Sequence, residues 1–84
     1  MDERDLLTRL KSGDQDAFDS IFRAHYAQLV AFAQGLLRDR AAAEDAAQEV
    51  MLELWKRRGE LAIHESLRAY LLRATSAVYA GDPR

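Results

Sequence analysis

Between residues 15 and 37 the apolar side chains return at every third or fourth position. Phe18, Ile21, Phe22, Tyr26, Leu29, Val30, Ala33, Leu36 and Leu37 follow the i, i+3, i+4 rule over that whole span. Such a run fits one face of a long α-helix and cannot be laid out as an alternating strand. Whatever this chain folds into is therefore arranged around a long amphipathic helix over about Gln15–Leu37. His25 projects into the apolar arc of that helix, and the pattern predicts a packed, hydrogen-bonded histidine.

Three further helices are readable on either side. Leu6, Leu7 and Leu10 share a face of a helix over about Asp2–Lys11. Ser12-Gly13-Asp14 breaks it, with Gly13 suited to a C-terminal cap and Asp14 to the N-cap of the long helix. Arg38-Asp39-Arg40 makes the next turn, and Asp39 is placed to cap a third helix over about Arg40–Arg58, closed by Gly59. Glu60–Glu65 reads as a short loop. Ser66 is placed to cap a fourth helix over about Leu67–Val78, with Leu67, Tyr70, Leu71, Ala74 and Val78 inward and Arg68, Leu72, Arg73 and Ser76 outward. Gly81-Asp82-Pro83-Arg84 cannot continue a helix and is expected to fray. No segment alternates as a strand would. The expected fold is all-α, a compact bundle of four helices with short connections.

The third helix carries the most informative surface. Ala43, Ala47, Val50, Met51, Leu54 and Trp55 fall on one arc, and Asp45, Gln48, Glu49, Leu52 and Glu53 on the opposite one. Leu52 thus sits at the centre of the acidic face. A single exposed leucine is common, but one ringed by Asp, Gln and Glu also has the form of a docking surface for a basic helix. Trp55 borders the inner arc and is expected in the core.

Charge is divided along the chain. Residues 1–54 hold six Lys/Arg against eleven Asp/Glu, and residues 55–84 hold six against three, within a net charge of −2. A chain that binds DNA unaided usually presents a larger basic surface. An acidic face and a weakly basic end suit two different partners. At 84 residues there is room for one small domain. The absence of Cys rules out a disulfide framework, thiolate chemistry and a zinc–thiolate site. No run approaches the roughly 18 apolar residues of a membrane span, and the acidic start Met-Asp-Glu-Arg-Asp has no apolar signal-peptide core. Catalysis needs convergent acid, base or nucleophile groups. Ser12, Ser20, Ser66 and Ser76 have no His/Asp constellation, and Glu44 and Asp45 are sequence neighbours that do not face each other. No phosphate loop, HExxH or CxxC motif occurs. The chain reads as a non-enzyme without cofactor, metal or small-molecule substrate.

The segment AEDAAQEVMLELW, residues 43–55, resembles conserved region 2.2 of bacterial sigma-70-type factors, specifically the small extracytoplasmic-function (ECF) group. Its flanks agree: AFDSIFRAHYAQLVAFAQGLL resembles region 2.1, and SLRAYLLRAT the start of region 2.4. The resemblance runs over about residues 5–75. It implies a region 2 domain over residues 1–80; residues 81–84 are expected to be a disordered tail, and, as a departure from the family, the region 4 helix-turn-helix is expected to be absent. It implies docking on the clamp helices of the RNA polymerase β′ subunit through Asp45, Gln48, Glu49 and Leu52. It also implies that the loop from Gly59 to Ser66 meets the separated bases of the promoter −10 element, with Lys56, Arg57, Arg58, His64, Ser66, Arg68 and Arg73 as DNA contacts. Promoter DNA would be bound only in the holoenzyme, in the cytoplasm, and an anti-sigma factor is a further possible partner.

The sequence also departs from that pattern. Ala77, Val78, Tyr79 and Ala80 stand where the family usually has an Asn followed by basic residues. Leu72 stands where an aromatic stacking platform is frequent. The alternative is therefore a sigma-like decoy that binds polymerase or an anti-sigma factor without reading promoters. Exposed Leu52, Leu72 and Tyr79 would serve self-association as readily as docking.

Overall fold

The computed structural model describes residues 2–79, among which there are four α-helices and no strand. They are α1 (Glu3–Lys11), α2 (Gln15–Leu37), α3 (Arg40–Lys56) and α4 (Leu67–Tyr79), with a 3-10 turn at Arg58–Glu60. The expected all-α bundle of four helices is what the chain forms. Residues 81–84, read as a fraying tail, lie outside the described residues, as does Ala80.

Each helix starts where a side chain takes over its unpaired amides. Asp14 Oδ1 accepts the N–H groups of Asp16 at 2.9 Å and Ala17 at 3.3 Å. Asp39 Oδ1 accepts those of Ala41 at 3.0 Å and Ala42 at 3.3 Å. Ser66 Oγ accepts that of Ala69 at 3.1 Å. Asp2 caps α1 rather than forming part of it, accepting from the Arg4 N–H at 3.4 Å. Gly13 ends α1 in a left-handed conformation, φ 88°, and its N–H returns to the Leu10 carbonyl at 2.9 Å. Arg38 does the same after α2 with φ 59°, a conformation that glycine adopts at no steric cost.

α2 packs most extensively on α3, and α4 lies against both. α1 crosses α2 and touches the 3-10 turn. The alanines of α3 are the reason for the close approach: Ala43, Ala46 and Ala47 are buried beside Val50, Met51 and Leu54. Leu10, Ile21, Leu29, Val30, Ala33, Leu61, Leu67 and Leu71 complete one continuous core. Phe18, Phe22, Tyr26 and Trp55 are half-buried against it.

Several sequence expectations need correction. α3 stops at Lys56 instead of Arg58, and Gly59 lies inside the 3-10 turn, because Glu60 N–H bonds the Arg57 carbonyl at 2.8 Å and tightens the backbone. Leu72, expected outward, packs partly on the core. Thr75, which the apolar pattern passes over, has no exposed surface; its hydroxyl is satisfied internally by donating to the Leu71 carbonyl at 2.8 Å. His25 is half-buried but makes no side-chain hydrogen bond among the described residues. It sits instead in the fields of Glu3 and Arg68.

Candidate functional site

The outward face of α3 is set by what its inner face must bury. With Ala43, Ala47, Val50, Met51 and Leu54 turned inward, Asp45, Gln48, Glu49 and Leu52 are all exposed. Their spacing is i, i+3, i+4, i+7, so they form one stripe along the helix. Leu52 is 52% exposed, the largest value among the exposed large apolar side chains described. Glu53, at the edge of the stripe, is held by Arg57 at 3.2 Å.

The stripe is flanked on both sides. On the α2 side, the Gln48 amide donates to the Tyr26 hydroxyl at 3.4 Å. Tyr26 stacks on Phe22 at 4.6 Å, Phe22 meets Phe18 at 6.3 Å, and Phe18 meets Trp55 at 5.3 Å. This ladder of rings fixes α3 against α2. On the α4 side, a hollow of about 280 Å³ is lined by Leu37, Ala42, Asp45, Ala46, Glu49 and Val78. Two carboxylates beside an apolar anchor and a shallow hollow can take charge-assisted hydrogen bonds from a basic partner around a desolvated centre.

The basic set is less unified. Lys56 is exposed and makes no ion pair among the described residues. Arg57 is engaged by Glu53. Arg58 lies over the Trp55 ring at 4.0 Å and donates to the Trp55 carbonyl at 2.8 Å. Lys56 and Arg58 share a hollow of about 250 Å³ with Lys11 of α1. Lys11 is a basic neighbour that sequence order gave no reason to place there.

On α4, Arg68 and Arg73 are five residues apart and so do not share a stripe. Arg68 reaches α2, where the Gln28 amide oxygen, in the orientation that satisfies its hydrogen bonding, accepts two N–H groups at 3.0 Å each. Arg73 pairs with Glu65, which raises the guanidinium pKa, and lies 5.7 Å from the Tyr70 ring centre.

The connection between the 3-10 turn and α4 is anchored at both ends and open between them. Leu61 and Leu67 are buried and Ile63 is half-buried, while Ala62, His64, Glu65 and Ser66 are exposed. His64 lines an open groove of about 680 Å³ against α1, together with Glu3, Arg4, Thr8 and Lys11. Ser66, predicted as a DNA contact, has its oxygen occupied as the cap of α4. The Leu67 N–H donates to Glu3 Oε2 of α1 at 2.9 Å. Glu3 and Gln28 were missed from sequence because their partners lie far away along the chain. No group of three or more His, Cys, Asp or Glu among the described residues is placed to hold a metal. No described helix is long and apolar enough to cross a membrane.

Residues 21–78 match the family model for sigma-70 region 2. The chain belongs to the sigma-70 region 2 family. The match spans most of α2, all of α3, the loop and nearly all of α4, and leaves α1 outside. No curated protein and no solved structure gives a significant match. Sigma-70 region 2 is a non-enzymatic domain of transcription initiation that takes part in binding RNA polymerase core and in promoter recognition. The two surfaces described above are thus parts of a sigma-70 region 2 domain.

Proposed function

We propose that this chain is an ECF-type region 2 domain, acting in the cytoplasm, that docks on the β′ clamp helices through Asp45, Gln48, Glu49 and Leu52. The loop over residues 59–66 then faces the −10 element, with Lys56, Arg57, Arg58, His64, Ser66, Arg68 and Arg73 around it. The observation that carries this reading is the exposed Leu52 within a stripe of acid and amide groups, on a helix whose other face is buried. An apolar anchor flanked by carboxylates and an amide suits a basic helical partner in chemistry and charge.

The DNA half of the proposal depends on polymerase. Arg57, Arg58, Arg68 and Arg73 already have partners within the chain, and the net charge is −2. Phosphate binding needs available cations, so the isolated chain binds promoter DNA weakly. A gel shift showing tight, sequence-specific binding by the chain alone would refute this.

The deciding experiment is a calorimetric titration of the chain with a β′ clamp-helix coiled-coil fragment, with Glu49→Lys as control. Saturable binding that is lost in the variant supports the assignment. A folded, helical chain that does not bind refutes it and favours an anti-sigma partner. Transcription from a reconstituted holoenzyme then separates an initiating factor from a decoy, which would inhibit or do nothing.

A further inference from the structure

α1 lies outside the segment that matches the family, yet it reaches the start of the promoter-facing helix. Its register is fixed three times over. Asp2 caps it, Leu10 is fully buried in the core, and Arg9 pairs with Asp14 of the next cap at 2.8 Å. Glu3, in its first turn, is thereby carried to α4, where its carboxylate accepts the Leu67 N–H across 64 residues of sequence.

The first amides of a helix have no partners within it. At α4, Ser66 serves the Ala69 N–H and Glu3 serves the Leu67 N–H. A carboxylate there is also favoured by the helix dipole. The loop before Leu67 thus ends on a contact that α1 supplies.

We propose that Glu3 is a positioning residue for promoter reading, whose hydrogen bond to the Leu67 N–H holds the start of α4 and with it the loop over residues 61–66. The inference rests on the reading that this loop faces the −10 element. Its physical content is preorganisation. With the end of the loop held, less conformational freedom is lost when single-stranded bases bind. Glu3 also places a negative charge on the groove shared by Arg4 and His64. A purely repulsive role would make its removal strengthen DNA binding, whereas positioning makes removal weaken it.

Three variants of the full chain separate these roles. Glu3→Ala removes the acceptor. Glu3→Gln keeps an oxygen at the same reach without the charge. Glu3→Asp keeps the charge but withdraws it by one methylene. Two readouts are needed. One is amide hydrogen exchange of the chain. The other is enrichment of a motif from a randomised single-stranded DNA pool by holoenzyme reconstituted with each variant. In Glu3→Ala and Glu3→Asp, exchange should rise about fivefold at Leu67–Ala69, as loss of a typical cap implies, with α2 and α3 unchanged. Motif enrichment should fall by a similar factor. Glu3→Gln should restore both, and titration with the β′ fragment should be the same for all.

Unchanged enrichment in Glu3→Ala and Glu3→Asp overturns the proposal, whether or not exchange rises. Greater enrichment in Glu3→Ala and Glu3→Gln alike overturns it in favour of repulsion. If the unsubstituted chain enriches no motif while its Leu67 amide is protected and exposed again in Glu3→Ala, the latch exists and the promoter-reading assignment has failed.

Discussion

Phe18 and Trp55 meet with ring centres 5.3 Å apart and planes tilted by 60°, joining the first turn of α2 to the last turn of α3. Arg58 lies over the Trp55 indole, 4.0 Å from the ring centre. The end of α3 is thus held by a tilted ring pair and a cation over the indole, although Trp55 is only half-buried. Trp55→Ala should cost about 2–3 kcal/mol, toward the lower end of aromatic truncations because of that partial exposure. Urea denaturation followed by circular dichroism reads this, since Trp55 is the single tryptophan and cannot report its own removal by fluorescence.

Leu52 behaves in the opposite way. Exposed and outside the core, it should be replaceable by Ala with a stability change within about 0.5 kcal/mol. The same substitution should weaken binding to the β′ clamp-helix fragment by about tenfold or more, as loss of an interfacial anchor does. A melting curve and a titration on one sample of Leu52→Ala test both halves.

Two pH windows should be separable. Burial lowers the His25 pKa, with Glu3 opposing and Arg68 adding to the shift. The unfolded chain therefore takes up this proton first, near the ordinary value of about 6.5. The contribution of His25 is complete above that pH and is lost as pH falls toward the folded-state value. His25→Gln should flatten the stability profile there. Asp14 is held below the usual carboxylate range, first by the Arg9 hydrogen bond and then by the Ala17 N–H. Its contribution is complete above about pH 4 and is lost only at more acid pH. Asp14→Asn should remove that lower step. Denaturation midpoints measured across both windows show whether each variant acts in its own.

The two left-handed helix ends predict changes of opposite sign. Gly13, at φ 88°, should tolerate Ala poorly, at a cost of about 1 kcal/mol. Arg38 carries a side chain at φ 59°, and Arg38→Gly should gain up to about 1 kcal/mol. Thermal melts of the two variants check the pair.

The helices were legible because three independent local signals agreed. Apolar spacing, the caps at Asp14, Asp39 and Ser66, and the break at Gly13 all place the same boundaries within a residue or two. The exposed stripe on α3 followed from the same periodicity. The sequence misled where a side chain's chemistry disguised its place. Thr75 lies outside the apolar pattern, but it closes its own hydroxyl on the preceding turn and is buried. Arg38 gave no sign of a conformation that glycine usually supplies. Contacts between distant positions, Glu3 with Leu67 and Arg68 with Gln28, carry no periodic signature. They depend on how the helices cross, which spacing along one helix does not encode.

The burial of Leu10 makes the recognisable segment and the foldable body different objects. The match to the family model begins at residue 21, but the core it encloses is completed by a side chain upstream of it. A fragment trimmed to the likeness would carry a hole where Leu10 belongs and an unattended amide at the head of α4. Grafting segments between such domains would meet the same constraint. The seam has to run ahead of α1, so that the small helix travels with the surface it supports.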